Sequence, residues 1–296
     1  MLIAVCGPTA AGKTALAIQL AQHFETEIIS ADSRQFYKET NAGTAKPSDQ
    51  ELNLAQHHFI NSHSVSERFS VADFEKAAIE KINQLFQTQS VVIVVGGSGL
   101  YLQAIYQGFD EMPDVDFQER EKWNRLYQEN GLEYLQTQLK ILDPEYYHQV
   151  DLQNPQRIIR ALEVSSPGKP FSSLFTKTKK QRNFSMIKIG INPARNVLYD
   201  RINQRVDLMV ENGLIKEAQE LLHCQHLNAL NTVGYKEIFD AFNQNTPIKE
   251  AIEKIKQNTR RFAKRQVTWF KKDQEIKWFD CADLDLILDY LLPLVG

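Results

Sequence analysis

The stretch GPTAAGKT at residues 7–14 decides the fold of this chain. It has the pattern G-x4-G-K-[ST], in which glycines, a lysine and a hydroxyl residue surround a phosphate group. The apolar run LIAVC at 2–6 precedes it and predicts a buried strand. Residues 13–23 follow with an apolar side at helical spacing. A strand, a phosphate loop and a helix in this order indicate an α/β fold with a parallel sheet.

The chemistry of this loop follows from its residue types. Gly7 and Gly12 let the backbone curl so that successive N–H groups face an anion. Lys13 adds a positive charge, and the hydroxyl of Thr14 can ligate Mg²⁺. The helix that begins here directs its dipole at the same anion. The motif therefore predicts a site for a diphosphate or a polyphosphate, and it does not specify which molecule carries it.

Further strands and helices alternate along the chain. Residues 27–31 and 91–95 predict two more strands, and residues 71–86 predict a helix between them. The runs at 186–191 and 276–279 also have strand character, whereas the chain beyond residue 195 is otherwise helical. We therefore expect a P-loop NTPase-like parallel sheet flanked by helices.

The middle of the chain has mainly helical patterns, unlike the alternating strands and helices before it, and this difference predicts a separate unit. Residues 116–148 and 155–164 have amphipathic helical patterns, and the second pattern begins with a proline. We expect a mostly helical insertion domain over 112–185. The catalytic core with its C-terminal helices would then comprise residues 1–111 and 186–296.

Composition excludes several classes of protein. The 296 residues carry 34 Lys and Arg against 37 Asp and Glu, a net charge of −3, so overall charge gives no argument for nucleic-acid binding. The apolar stretches fall short of the ~20 residues that a membrane helix needs, and the N-terminus lacks a signal-peptide pattern. The three cysteines have no metal-ligand spacing. We expect a reduced, cytoplasmic protein.

A carboxylate at the end of the second predicted strand is the first candidate catalytic group. Nucleotide hydrolases place a metal-binding Asp after a later strand, but the third strand here ends in Gly96–Gly99. Asp32 instead follows the second strand. Since ligands lie beyond the carboxyl ends of parallel strands, residues 7–14, Asp32–Ser33 and Gly96–Gly99 should surround one cleft. Asp32 is then a general base, an outer metal ligand, or simply a solvated carboxylate.

Eight signatures distributed over nearly the whole chain carry a family resemblance. The segments DSRQFYK and GTAKP are far more specific than the phosphate loop. The signatures are GPTAAGKT (7–14), ISADSRQFYK (29–38), GTAKP (43–47), FSVADF (69–74), VVGGSGLYLQA (94–104), NPQRIIRALEV (154–164), VGYKE (233–237) and RRFAKRQVTWF (260–270). In these the chain closely resembles the bacterial tRNA dimethylallyltransferases, also called tRNA isopentenyltransferases.

The resemblance implies a reaction and its participants. The family transfers a dimethylallyl group from dimethylallyl diphosphate to N6 of the adenine immediately 3′ of the anticodon in tRNA, releasing diphosphate. The phosphate loop would hold the diphosphate of the donor rather than an ATP. Mg²⁺ is the implied cofactor, and the anticodon stem-loop of tRNA and the donor are the implied partners. We expect no membrane partner and a monomer.

The resemblance also assigns roles to residues. Asp32 would accept the proton of the adenine amine, and Lys13, Thr14, Ser98 and Arg201 would complete the catalytic set, with Thr14 on the metal. Ser98 stands where many relatives carry a threonine. Arg201 and Arg205 lie four apart in RINQR, on one helix face, and the alternative for either is a solvated basic face. The donor diphosphate would contact the phosphate loop and one arginine: Gly7, Pro8, Thr9, Ala10, Ala11, Gly12, Lys13, Thr14 and Arg205.

The resemblance implies that the insertion domain over 112–185 contacts tRNA, and an extruded base also requires contacts to its neighbours. The implied tRNA contacts lie in six separate parts of the chain. They are Asp32, Ser33, Arg34, Gln35, Ser98, Arg120, Gln156, Arg157, Arg160, Gly234, Tyr235, Lys236, Arg260, Arg261, Lys264 and Arg265. One relative pattern has an arginine before the Gly-Tyr pair, where this chain has Asn231 and Thr232.

A basic segment supports an RNA partner independently of the resemblance. Residues 254–272 contain eight Lys or Arg and no acidic residue, which favours phosphate binding. The stretch KTKKQR at 177–182 adds further cations. The helical pattern that includes this segment has four apolar residues on one face that we expect to pack onto the core: Ile252, Ile255, Phe262 and Trp269.

Three alternatives remain open at this point. A small-molecule kinase would bind ATP in the same loop, with the basic insertion as a lid, but GTAKP and DSRQFYK are not typical of kinases. An adenylate isopentenyltransferase would use a free nucleotide, whereas the long insertion and the basic segment favour tRNA. A non-catalytic RNA-binding protein would leave Lys13 and Asp32 without a function.

Overall fold

The protein is built around a parallel sheet, seen here in a computed structural model that describes residues 1–110, 112–165, 168–176 and 178–295. Within these residues the sheet has six strands in the order β3-β2-β4-β1-β5-β6. All neighbouring strands run parallel, which confirms the predicted α/β class. The strands are β1 (Leu2–Cys6), β2 (Ile28–Ser30), β3 (His57–His58), β4 (Val92–Gly96), β5 (Met186–Ile191) and β6 (Ile276–Phe279).

Helices connect the strands and extend the chain after β5. The α-helices of the described residues are α1 (Lys13–His23), α2 (Asp49–Leu54), α3 (Val71–Leu85), α4 (Gly99–Gln107), α5 (Phe117–Leu142), α6 (Pro144–Tyr147), α7 (Pro155–Ser165), α8 (Arg195–Glu211), α9 (Leu214–Glu220), α10 (Tyr235–Gln244), α11 (Ile248–Phe270) and α12 (Leu284–Val295). Short 3₁₀ turns lie at Ala42–Thr44, Phe171–Leu174, Leu222–Cys224 and Asn228–Leu230.

The central strand β1 shows why the sheet is covered on both faces. Successive side chains of a strand point to opposite faces. Ile3 and Val5 belong to the cluster that includes α1 and α12, whereas Leu2, Ala4 and Cys6 belong to the cluster that includes α3 and α4. All five are fully buried. A run that is apolar at every position is therefore required here, and the same requirement explains VIVVG in β4.

The bounds of the elements agree closely with the patterns in the sequence. β1, β5, β6 and α1 begin and end at the predicted residues, and β2, β4 and α3 differ by a residue at one or both ends. The strand β3 has no counterpart among the predictions. It is two residues long and pairs with β2 at the edge of the sheet, too short for a recognisable pattern.

The chain divides into two compact units, Met1–Gln107 with Arg182–Gly296, and Gly108–Gln181. The expected insertion was 112–185, so each bound lies a few residues earlier. The second unit has its own core, to which α5 contributes Leu135 and Leu139 and α7 contributes Ile158 and Leu162. The helical pattern predicted over 116–148 is present, but it is divided between α5 and α6. Gly131 adopts a left-handed φ of 78° inside α5, and the chain breaks again before the short helix α6.

No helix among the described residues is both long and apolar enough to cross a membrane.

Candidate active site

A cavity of about 510 Å³ opens beyond the carboxyl ends of β1, β2 and β4. Lys13 and Thr14 line it from the phosphate loop, Asp32 from the turn after β2, and Ser98 from the turn after β4. The parallel sheet brings these groups together because the carboxyl ends of all its strands lie at one edge. The cleft expected from the sequence therefore exists, with Lys13, Thr14, Asp32 and Ser98 on its walls.

The phosphate loop adopts a conformation that requires glycine. Gly7 has a φ of 139°, and a Cβ there would lie 2.3 Å from the carbonyl oxygen of Ile191. Ala10 and Gly12 also have positive φ values, 62° and 96°. This curl turns the loop back towards the start of α1, where backbone N–H groups lack helical partners. The loop is therefore shaped for an anion at the helix N-terminus.

Two cations meet in this part of the cavity. The ammonium of Lys13 donates to the carbonyl of Pro8 at 2.6 Å, and the guanidinium of Arg205 donates to the carbonyl of Ala45 at 3.1 Å. Burial and the nearby charge of Arg205 lower the pKa of Lys13 to about 8, although Asp32 opposes the shift. Burial also lowers the pKa of Arg205. Burial makes the charged forms of both side chains less favourable, and an anionic ligand between them would stabilise these charges.

The two arginines of RINQR do not occupy equivalent positions. Arg205 lines the main cavity and also a second one of about 350 Å³ on the outer side of the phosphate loop. Arg201 is exposed and lines only the second cavity. The helix α8 thus directs Arg205 towards Lys13. The assignment of Arg201 to catalysis stays a prediction, and the geometry favours Arg205 as the arginine nearest the reacting groups.

Hydrogen bonds hold the turn that carries Asp32. The Oδ1 atom of Asp32 accepts the backbone N–H of Arg34 at 2.9 Å. Ser98 accepts the backbone N–H of Ser33 at 3.1 Å and its hydroxyl donates to the hydroxyl of Ser33 at 3.2 Å. The hydroxyl of Ser98 therefore ties the turn after β4 to the turn after β2.

Arg34 and Gln35 make internal contacts as well as facing the cavity. Arg34 donates to the carbonyls of Asn228 and Ala229 at 2.9 and 3.1 Å. Gln35 is buried, and its amide lies 3.3 Å from the carbonyls of Thr44 and Ala45. Both side chains thus shape the walls of the cavity in this conformation, and their contacts to tRNA stay predictions.

Tyr235 does not lie on the surface, contrary to what a tRNA contact requires. It is fully buried, and its hydroxyl donates to Glu217 at 2.5 Å. A Cβ on Gly43 would lie 2.3 Å from its ring, so the tyrosine fills the space that this glycine leaves. The structure gives Tyr235 a packing role, and its neighbour Gly234 donates to Glu237 at the start of α10. Lys236 is exposed and lines the cavity.

Glu217 organises the loop that contains GTAKP. Its carboxylate accepts the backbone N–H groups of Asn41, Ala42 and Gly43 at 2.7, 3.0 and 2.9 Å. The next residues of this loop supply the carbonyl of Ala45, which accepts from Arg205. One carboxylate on α9 therefore fixes the backbone that holds the active-site arginine.

The variant Glu217→Gln should be destabilised by about 2–4 kcal/mol, because an amide nitrogen would face backbone donors that then lose their acceptor. Chemical denaturation measures the loss. The matched control is Glu220→Gln on the same helix, whose carboxylate is 66% exposed and should matter by less than about 0.5 kcal/mol. Equal midpoints for both variants would contradict the role of Glu217.

The basic helix α11 faces the core with residues other than those predicted. Phe262 and Trp269 are 38% and 40% exposed, so the expectation that both pack onto the core is wrong. Buried positions are instead Ala251, Ile255, Ala263, Gln266 and Phe270. In the C-terminal half of the helix the buried side therefore includes Ala263 and Phe270, the positions directly after Phe262 and Trp269.

The cations of α11 have different surroundings. Arg260 donates to Asn203 at 2.6 Å, and its guanidinium lies 6.0 Å from the ring centre of Tyr199. Arg261, Lys264 and Arg265 are exposed. Arg265 lies 5.7 Å from the ring centre of Phe262, and both residues line the main cavity. Exposed positive charge therefore continues up to the cavity.

The second unit gathers three of the predicted tRNA-binding side chains around one buried acid. Glu163 is 1% exposed and accepts from Arg120 at 3.2 Å and from Arg160 at 2.6 Å. Arg120 also donates to Gln156 at 3.2 Å. Arg157 is exposed on the same helix α7. Lys177, in the predicted basic stretch, lies outside the described residues.

Gln266 is a site residue that the sequence analysis missed. It lines the main cavity from α11 and contacts both the phosphate loop and the turn after β4. The sequence contained a signal for this role, because the helical spacing places Gln266 on the same face as two apolar residues. It lies three residues after Ala263 and four before Phe270, and all three are buried. A polar residue on a buried face requires hydrogen-bonding partners.

The protein oxygens in the cavity suit a Mg²⁺ ion that is bound mainly by the phosphates of a substrate. Among the described residues, no group of three or more His, Cys, Asp or Glu is arranged to hold a metal. Mg²⁺ commonly binds one or two protein oxygens together with substrate phosphates and water. Thr14 and Asp32 line the same cavity as Lys13 and supply such oxygens. These residues fit that mode of binding.

Comparisons with known proteins agree over nearly the whole chain. The family model described as IPP transferase matches residues 35–273. A tRNA dimethylallyltransferase of Christiangramia forsetii is 56% identical over 98% of this chain and 97% of that protein. One from Flavobacterium johnsoniae is 52% identical, with the same coverage.

Solved structures give the same result for the fold. The tRNA isopentenylpyrophosphate transferase of Bacillus halodurans superposes with a TM-score of 0.71 at 35% identity, over 99% of this chain and 95% of that one. A eukaryotic dimethylallyltransferase, captured in crystals while acting on tRNA, has a TM-score of 0.78 at 27% identity, over 97% and 75% of the two chains.

Proposed function

The chain belongs to the IPP transferase family, and from this premise we propose that it transfers a dimethylallyl group from dimethylallyl diphosphate to N6 of the adenine immediately 3′ of the anticodon in tRNA. The observation that carries the proposal is one cavity in which a diphosphate cradle, Lys13 and Arg205 face the carboxylate Asp32. Diphosphate is the leaving group, and this enzyme is a prenyltransferase.

The donor side of the cavity suits a diphosphate leaving group. The amides of residues 7–14, Lys13 and Arg205 take up the charge that develops as the C–O bond of the donor breaks. Preorganised donors of this kind are commonly the largest contribution to catalysis. When bound, Mg²⁺ on Thr14 supplies further charge neutralisation on the phosphate oxygens. The kinetic benefit arises because these charges are fixed before the reaction.

The acceptor side supplies a carboxylate for the adenine amine. As the bond from N6 to the allylic carbon forms, N6 must lose a proton, and Asp32 accepts it. The adenine has to leave the stacked anticodon loop to reach this position, at a cost of a few kcal/mol. Ser98 and Ser33 hold the turn that carries Asp32, so the carboxylate is in place before the base arrives.

RNA binding is proposed for two surfaces. On α11, Arg261, Lys264 and Arg265 present exposed cations beside the cavity. In the second unit, Arg120 and Arg160 surround Glu163, and the described part of that unit carries the tRNA contacts implied by the family. Phosphate contacts position an RNA without reading its sequence.

The salt dependence of tRNA binding tests the surface on α11. Each phosphate contact contributes about 0.7–0.9 to the slope of log affinity against log salt. Lys264→Gln should lower the slope by about that amount, measured between about 50 and 200 mM salt. Lys216→Gln, which removes a cation whose side chain is 82% exposed on α9, is the matched control. An unchanged slope for Lys264→Gln would remove this lysine from the interface.

The alternatives are less well supported. A small-molecule kinase would share the phosphate loop, but the relatives that are 52–56% identical over nearly the full chain are tRNA dimethylallyltransferases. An adenylate isopentenyltransferase would leave the exposed cations of α11 and the second unit without a partner. A protein that only binds RNA would not need Lys13 and Asp32 in one cavity.

The decisive experiment uses the purified chain with Mg²⁺ and unmodified tRNA. One tube receives dimethylallyl diphosphate and another receives ATP, and digested nucleosides are analysed by mass spectrometry. The expected result is one C5 unit on adenosine in the first tube, without ATP. ATP consumption with small acceptors, and no C5 unit, would favour the kinase.

The proposal also covers the cellular location, the assembly state and the metal of the enzyme. We infer that the enzyme works in the cytoplasm, where its tRNA substrate is found, as a monomer and without a membrane partner. Mg²⁺ is the metal that we assign to the donor diphosphate. Titration of activity with Mg²⁺ after treatment with a chelator tests that assignment.

A further inference from the structure

A buried glutamine on α11 connects two loops of the active site. The Oε1 atom of Gln266 accepts the backbone N–H of Thr9 at 2.9 Å. Its Nε2 atom donates to the backbone carbonyl of Gly97 at 2.8 Å. The residue is only 7% exposed. Both polar ends of one side chain are therefore paired with the backbone of two different loops that line the cavity.

One of these loops would bind the donor, and the other adjoins the turn that carries the proposed general base. Thr9 belongs to the phosphate loop, which holds the donor diphosphate. Gly97 directly precedes Ser98, whose hydroxyl accepts the backbone N–H of Ser33 beside Asp32. A path of hydrogen bonds and peptide bonds therefore connects the donor loop, through Gln266, to the turn that carries the acceptor carboxylate.

We propose that Gln266 is a positioning residue that sets the distance between the donor diphosphate and the carboxylate Asp32. The inference rests on the proposed prenyl transfer. Group transfer depends on the alignment of the reacting atoms, and a misplacement of about 1 Å can cost about 10²-fold in rate. Gln266 acts through the two loops, whose backbone occupies both polar ends of its side chain.

The absence of a side chain at Gly97 leaves the space that the amide of Gln266 occupies. A Cβ on Gly97 would lie 2.5 Å from Nε2 of Gln266, and the next nearest atoms would lie at ordinary contact distances of 3.5 Å or more. The variant Gly97→Ala should therefore displace the amide of Gln266 and little else. When Gln266 is itself shortened to alanine, the same methyl group has room.

A double-mutant cycle tests the proposal with the full chain. The variants are Gln266→Ala, Gly97→Ala and the two combined, assayed with dimethylallyl diphosphate and unmodified tRNA. Each single variant should lower kcat by about 10–100-fold, with KM for both substrates within about threefold of wild type. The double variant should be no more than about twofold slower than Gln266→Ala, because both substitutions break the same link.

A buried hydrogen bond at the far end of the sheet provides the control. Thr26 is 8% exposed, and its hydroxyl donates to the carbonyl of Val91 at 2.6 Å. Thr26→Val should lower the melting temperature but leave kcat unchanged. If Gln266→Ala behaved like this control, or if the two effects in the cycle were additive, the positioning role would be overturned.

The same data separate this inference from the function on which it rests. A wild-type enzyme that forms the C5 adduct, with variants that keep its kcat, would overturn only the role of Gln266. A folded wild-type enzyme that forms no adduct would overturn the proposed function and this role with it.

Discussion

Asp32→Asn should lower the rate of prenyl transfer at saturating substrates by roughly 10²–10⁴-fold, the range typical for loss of a general base. The oxygen that accepts the N–H of Arg34 is retained in asparagine, so the turn after β2 should keep its shape. The loss should appear in kcat, whereas KM for dimethylallyl diphosphate should change little, because the proposed role of Asp32 is on the acceptor side. Single-turnover kinetics with unmodified tRNA measure the chemical step directly.

A matched control separates chemistry from local structure. Asp116 accepts the backbone N–H of Gln118 at 3.0 Å, the same spacing along the chain as Asp32 and Arg34. Asp116→Asn should retain near-normal turnover. Activity of Asp32→Asn that returned when Mg²⁺ is raised would assign the carboxylate to the metal instead, and near-normal turnover of Asp32→Asn would show that it is no base.

Lys13→Met should have the second large effect. The methionine keeps the length of the side chain but removes the charge that meets the leaving diphosphate. Loss of one preorganised group that stabilises developing charge costs roughly 10²–10³-fold in kcat. Donor affinity should fall as well, because a hydrogen bond to a charged group contributes about 1.5–3 kcal/mol. Equilibrium binding of the donor and single-turnover rates test the two parts. Unchanged donor affinity would contradict the assignment of the phosphate loop.

The pKa of Lys13 adds a test by pH. In the free enzyme, burial and the charge of Arg205 lower this pKa to about 8. The ammonium is charged below that pH, and a bound diphosphate favours the charged form, so binding raises the pKa. Donor affinity should therefore be constant below about pH 8 and fall by up to about tenfold per pH unit above it. In Lys13→Arg, whose guanidinium stays protonated, this alkaline decline should be absent. A decline at the same pH in that variant would assign it to another group.

Much of the fold could be predicted because its signals are local. The run LIAVC is apolar at every position since β1 is buried on both faces, and the phosphate loop directly after it has glycines where φ is positive, at Gly7 and Gly12. The strands at 186–191 and 276–279 follow the same rule. The two-residue strand β3 is too short for any period to be visible.

Side-chain roles within a recognised motif were harder to infer. Arg201 and Arg205 lie on one helix face, but the rotation of α8 about its axis directs only Arg205 towards Lys13. Tyr235 belongs to a signature of the family, and yet it fills the space beside Gly43 and is fully buried. Spacing gives the face of a helix, whereas the packing of neighbouring elements decides which face is covered.

The sequence by itself therefore determined the parallel sheet, the phosphate loop and the placement of Lys13 and Asp32 at one edge, because each depends on residues close together in the chain. Only the tertiary structure decided how the walls of the cavity are held. Gln266 meets Thr9 and Gly97 across separations of 257 and 169 residues, and Glu217 meets Asn41 across 176. Contacts over such separations leave no period in the sequence, since they arise from the packing of α9 and α11 against the loops of the sheet.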